Sequence, residues 1–278
     1  MTRFWRRFVR NRQAGLGAVI LAMFVVLAVT APLVFPGSAF RSVDRPFLPP
    51  LSERVLGTDQ LGRDVAAGIA HGARTSLSIG VLATALALLL GTLVGGCAGY
   101  YGGWLDDALM RATEFVQTIP TFLFAIVLVA ILTPSVKSIV IAIALVSWPP
   151  VARLVRGEFL SLRSREFVLA CVCLGMEDRR IIVRHILPNC LSPIIVTGSL
   201  MVATAILIES ALSFLGLGDP NTMSWGFMIG AGRTFLRQAW WLCAIPGVAI
   251  LLTVLAINLL GDGLNDALNP RLVGAAGQ

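Results

Sequence analysis

The sequence predicts an all-α membrane protein of six transmembrane helices, and three observations carry that prediction. Of its 278 residues 56% are hydrophobic and 13% charged, against roughly 45–50% and about 25% in soluble domains. The mean hydropathy is +0.83. Apolar stretches of about 20 residues, long enough to cross a bilayer as helices, recur with short polar breaks. The basic residues fall between those stretches, where they set orientation.

Taken in order, residues 1–12 hold Arg3, Arg6, Arg7, Arg10 and Arg12 with no acid. An apolar run over 14–35 follows. A cleaved signal peptide has a shorter core of about 7–15 residues and a small-residue cleavage site, so this run reads as a retained first span. Arg6-Arg7-Phe8 faintly resembles a twin-arginine signal, but a positive cytoplasmic flank explains it more simply. Further spans are expected at 76–99, 114–133, 138–155, 192–215 and 240–260. Alternation then puts 36–74 outside, 101–113 inside, 134–137 outside, 156–191 inside, 216–239 outside and the tail inside. Fourteen basic residues lie on the inside segments, extended to include Arg153 at the end of the fourth span, and eight on the outside, which points to both termini being cytoplasmic. The expected organisation is an N-terminus and first span over 1–35, an extracytoplasmic loop 36–74, a membrane core 75–263 with an inner loop 156–191, and a tail 264–278.

Trp104, Trp148, Trp225, Trp240 and Trp241 sit near the expected interfaces, as amphipathic rings do. Gly91, Gly95, Gly99 and Gly103 recur every four residues, so they stack on one face and let another backbone approach. The spans are therefore expected to form a bundle. Five cysteines are scattered without a CxxC pair and read as small apolar residues. The formal charge of +7 is accounted for by membrane orientation, and no nucleic-acid partner is expected.

Catalytic machinery is not legible. The single lysine, Lys137, stands in Pro-Ser-Val-Lys-Ser and has no phosphate-binding Gly-rich loop. His71 and His185 are far apart, which argues against a His-based metal site, and no G-x-S-x-G elbow is present. The expectation is a chain that is not an enzyme and binds no cofactor or metal itself. Polar groups inside spans carry more information, because burying them in hydrocarbon is expensive. Glu209 is the clearest, near the outer end of the fifth span, with Thr204 and Ser210 on the same helix and Asn258 on the sixth. These line a pathway or bond helix to helix. In the outer loop Asp59, Arg63 and Asp64 either form ordinary intraloop ion pairs or contact a partner.

The inner loop is the strongest local signal. Phe167, Ala170, Cys171 and Leu174 recur at helical spacing and Gly175 is a plausible C-terminal cap. Ile181, Ile182 and His185 or Ile186 mark a second short helix ended by Pro188. Ala170, Gly175, Leu187 and Pro188 match the EAA motif of type I ABC importer permeases, with Leu169, Cys171 and His185 in place of its Glu, second Ala and Ile. Arg165-Glu166-Phe167-Val168 and Arg184-His185-Ile186-Leu187-Pro188-Asn189 resemble the peptide and nickel subfamily.

Four further stretches agree with that subfamily: Leu56-Gly-Thr-Asp-Gln-Leu-Gly-Arg-Asp64 with Gly72-Ala-Arg-Thr-Ser-Leu77; Gly99-Tyr-Tyr-Gly-Gly103 with Asp106 and Arg111; Ser210-Ala-Leu-Ser-Phe-Leu-Gly-Leu-Gly218 with Ser224-Trp-Gly226; and Gly261-Asp-Gly-Leu-Asn-Asp-Ala-Leu-Asn-Pro-Arg271. The chain is thus similar to the "C" permeases of dipeptide, oligopeptide and nickel ABC transporters.

The resemblance implies a multi-pass permease of the bacterial inner membrane, in a heterodimer with a second, homologous permease. Two cytoplasmic ATPase subunits would hold ATP and Mg, and an external binding protein would deliver the cargo. It makes 162–188 the coupling element, with Glu166, Ala170 and Gly175 at the ATPase contact, and favours peptide over nickel as cargo. An ATP-independent channel or secondary transporter is the competing class, disfavoured by the few buried charges and by the absence of a detectable inverted repeat. A membrane-anchored scaffold is the third.

Overall fold

The computed structural model describes residues 11–268, so Arg3, Arg6, Arg7 and Arg10 and the end of the tail with Arg271 lie outside the described residues. The first helix, α1 (Arg12–Val34), starts where the Asn11 side chain accepts hydrogen bonds from the Gln13 and Ala14 amides. α2 (Val65–Tyr101) is 37 residues long. It starts eleven residues before the expected span, because Asp64 caps it by accepting from the Ala66 amide at 2.8 Å. The outer loop accordingly ends at Asp64, and His71 and Arg74 are helical.

The expected third span is two helices. α3 (Gly103–Thr118) and α4 (Thr121–Leu132) meet at 87°. Pro120 has no amide hydrogen to donate and drives Ile119 out of the helical region, to φ −87°, ψ 127°. α4 alone reaches only about 18 Å along its axis, short of the roughly 30 Å hydrocarbon layer. Among the described residues five helices are long and apolar enough to cross a membrane, and the bent pair, counted as one span, brings the number to six. α5 (Val136–Arg163) follows, then the short helices α6 (Glu166–Cys173) and α7 (Asp178–Ile181), a π turn (Ile182–Ile186) and α8 (Leu187–Phe214). α9 (Trp225–Gly232), a 3₁₀ turn (Arg233–Phe235) and α10 (Trp241–Leu268) complete the described chain.

Contacts at the two ends fix the helix directions. Asn11 donates to Asp266 at 3.3 Å, Tyr100 to Asp178 at 2.7 Å and Arg156 to Asp106 at 2.5 and 2.6 Å. The start of α1 and the last turn of α10 therefore share one end, the inner end, with the 156–191 loop. At the outer end the Trp241 indole donates to Thr58 O at 3.3 Å, the Val136 amide to Asp219 at 3.2 Å, and His71 Nε2 lies 3.1 Å from Phe35 O.

α2 and α5 pack through the expected glycine face. A Cβ on Gly91 would stand 2.5 Å from that of Val151, one on Gly95 2.2 Å from Ala152 O, and one on Gly99 2.7 Å from Arg156 O. Gly103 leaves the series: at φ +58° it opens α3, with nothing near the position of its Cβ.

Candidate functional site

The inner hairpin is a two-faced structure. Along α6, Val168 and Cys171 turn inward and are buried in a cluster with Tyr100, Phe159, Ile181 and Ile186. Glu166, Phe167, Leu169, Ala170, Val172 and Leu174 are exposed. The face expected from Phe167, Ala170, Cys171 and Leu174 is therefore rotated: Cys171 belongs to the bundle, while Leu169 and Val172 join the outer surface. All residues in this helix but Glu166 are apolar or cysteine, so spacing alone does not choose a face. Gly175, at φ +69°, ends the helix. Its amide donates to Val172 O and that of Met176 to Cys171 O, a Schellman-type closure that a left-handed glycine permits.

Pro188 does not end the second helix. The backbone passes through the five-residue π turn into α8, with Pro188 in the first turn of α8, where a missing amide hydrogen costs little. His185 and Leu187 are half-buried, Pro188 is exposed, and Asn189 donates to His185 O at 2.6 Å.

At the outer end Glu209 is 1% exposed. One carboxylate oxygen accepts from Ser213 at 2.8 Å and Ser224 at 2.7 Å, the other from Ser210 at 3.4 Å and Ser76 at 3.5 Å. Ser76 in turn accepts the Trp225 amide at 3.2 Å, and the Trp225 indole donates to Ile69 O at 3.0 Å. Glu209 is thus a hub joining α2, α8 and the start of α9. Ser213 and Ser224 donate at short range in place of the water that a buried carboxylate loses. Ser76 is more distant, and Ser210 divides its hydroxyl between the carboxylate and Ile206 O at 2.8 Å. Thr204 is exposed and donates only to Leu200 O, at 3.3 Å; Asn258 is half-buried on α10. No hydrogen bond among the described residues joins either to the hub.

The outer loop is tied to itself. Asp59 accepts from the Leu61 and Arg63 amides at 2.8 and 2.9 Å, with the Arg63 guanidinium 3.9 Å away and lying over the Phe40 ring. Arg54 bridges Asp44 and Asp64 at 3.2 and 3.7 Å. The Arg45 amide, and then Arg54, hold the Asp44 carboxyl below its usual range by favouring its ionised form. Gly62, at φ +72°, leaves no room for a Cβ, which would lie 2.0 Å from Asp44 O. The three candidate charges of this loop are intraloop partners.

Residues 87–274, more than half of the chain's length, match the family described as the binding-protein-dependent transport system inner membrane component, and residues 1–50 match the N-terminal transmembrane domain of oligopeptide transport permease C. The chain belongs to the binding-protein-dependent transport permeases. Among similar relatives of this permease is the dipeptide transport system permease protein DppC of Alkalihalophilus pseudofirmus, 43% identical over 96% of this chain and 89% of that protein. Another is the glutathione transport system permease protein GsiD of Pectobacterium atrosepticum, 39% identical over 97% and 90%. An inward-facing structure of the MetNI methionine ABC transporter covers 73% of the permease and 96% of its own chain with a TM-score of 0.59 at 14% identity, a likeness of fold. The permease is a multi-pass, non-catalytic inner-membrane component that works with ABC partner subunits and a binding protein.

Several residues that organise the permease were not legible as sites. Arg156 grips Asp106 with two nitrogens, fastening α3 to α5. Tyr100 ties the end of α2 to α7. Both acidic partners stand in stretches that carried the family resemblance or flanked the arginine-rich loop, but nothing in their spacing pairs residues 50 and 78 positions apart. Trp225, expected at a membrane interface, is fully buried under Gly72.

Proposed function

We propose that the permease forms half of the translocation pathway for di- or oligopeptides, beside a second, homologous permease. Two cytoplasmic ATPase subunits carrying ATP and Mg drive it, and an external binding protein loads it. The outward apolar face of α6 supports the coupling assignment. Phe167, Leu169, Val172 and Leu174 are 42–80% exposed on a hairpin at the inner end, where a soluble surface would be polar and a docking surface is not. Ala170 sits among them as a small residue, leaving room for a partner's close approach. Peptide cargo rests on the dipeptide and glutathione transport named for the relatives. The proposed organisation keeps 1–35 as N-terminus and first span and 264–278 as cytoplasmic tail, with the core beginning at Val65, where α2 starts, and running to 263.

In this reading nucleotide binding closes the ATPase pair, and the hairpin carries that movement into α5 and α8, which rock as rigid bodies around a central pathway. Ala170→Asp tests it. A lone charge buried in an apolar contact costs on the order of 2 kcal/mol or more, which lowers coupling about thirtyfold. Dipeptide uptake and transport-stimulated ATPase activity fall together while membrane insertion persists. Wild-type uptake by this variant rejects the docking assignment.

A further inference from the structure

A groove of about 620 Å³ runs between α1 and α2 on the outside of the bundle, a size that suits a small ligand. Val25, Ala28, Val29 and Pro32 line it from α1, and Leu77, Ser78, Val81 and Leu82 from α2, with Arg74 at its outer end. Arg74 is exposed, and none of the carboxylates among the described residues pairs with it.

The depth of Arg74 is set by its neighbours. His71, one turn outward on α2, meets Phe35 O at 3.1 Å, so it is level with the end of α1. The apolar run of α1 stops there, at Val34. Arg74 therefore stands at the rim of the hydrocarbon layer, where an uncompensated guanidinium is costly away from water or an anion. From it the apolar groove descends two turns of α2, about 12 Å, toward the membrane interior. One cation at the level of the headgroups above an apolar trough is complementary to an anionic amphiphile.

We propose that this groove binds an anionic phospholipid of the outer leaflet, its phosphate on the Arg74 guanidinium with Ser78 one turn below, and one acyl chain along Val25, Val29, Val81 and Leu82. The lipid fits better than a helix of the second permease. Phosphate is present at this level all around the protein, whereas a protein partner would have to supply an acid at one register. Val25, Val29, Val81 and Leu82 are 44–71% exposed, and lipid covers such surface as the helices enter the membrane. The inference does not depend on the cargo or on the coupling assignment.

The test uses the complete transporter in nanodiscs of phosphatidylcholine, titrated with phosphatidylglycerol, with retained lipid read by native mass spectrometry and Tm recorded. The wild type retains phosphatidylglycerol saturably and its Tm rises. Arg74→Gln weakens retention about fivefold, the worth of one basic residue at an anionic surface, while Arg74→Lys keeps most of it. Val81→Trp fills the trough and lowers retention with the charge intact, which decides the matter if Arg74→Gln fails to assemble. A photoreactive side chain at Leu82 cross-links to lipid. Equal retention by Arg74→Gln and wild type, or a Leu82 cross-link into the second permease, overturns the proposal.

Discussion

The Glu209 carboxylate is surrounded by serine hydroxyls and pairs with no cation among the described residues. In Glu209 all four donors are serines, and each can rotate its hydroxyl. A glutamine there keeps one acceptor oxygen for Ser213 and Ser224 and offers its amide hydrogens to Ser76 and Ser210, which then accept. Glu209→Leu leaves the buried Ser213 and Ser224 hydroxyls without their acceptor, at a cost of about 1–3 kcal/mol. The expected outcome is that Glu209→Gln transports nearly as well as the wild type, whereas Glu209→Leu lowers the Tm of the purified complex. Abolished uptake in a Glu209→Gln complex of unchanged Tm would instead show that the charge itself is needed. The sequence marked this glutamate as out of place in hydrocarbon but left its role open, because its partners Ser76 and Ser224 lie 133 and 15 positions away.

Between elements, the seam of α2 with α5 is the most sharply testable contact. A Cβ at Gly95 would lie 2.2 Å from a backbone oxygen, which cannot swing aside as a side chain can. Gly95→Ala is expected to destabilise by about 1–3 kcal/mol. Gly157→Ala, an exposed helical glycine with open space around it, is expected to be neutral or to stabilise by up to about 1 kcal/mol. Thermal unfolding of the two variants in one detergent separates them, and equal effects would remove the seam as the reason for the glycines. Their four-residue spacing made this face legible beforehand. The break in the third span was less so, since Pro120 interrupts an apolar pattern that hydropathy counts as continuous. The inward side of α6 was not legible at all, since Phe167 and Val168 are equally apolar and only the position of Tyr100 and Phe159 decides between them.

For the whole molecule, the number of candidate spans and the shared inner end of the start of α1 and the end of α10 follow from the alternation of apolar runs and arginines, because lipid leaves a chain few ways to satisfy its backbone. The orientation has a direct check. With Cys97 replaced by serine, a membrane-impermeant maleimide should label Leu51→Cys, 87% exposed in the outer loop, in intact cells. It should label the native Cys173, exposed on the inner hairpin, only in inverted vesicles. Labelling of both from one side would refute the arrangement. The long-range fastenings, Arg156 to Asp106 and Tyr100 to Asp178, required the fold to become visible. The π turn at Ile182–Ile186 also sets an angle. Each residue of an α-helix advances the chain about 100° around the axis, and a π turn carries one residue more than an α turn. The surplus residue thus shifts the phase of α7 against α8, so that Ile181 and Ile186, five positions apart, both turn into the cluster that buries Val168 and Cys171.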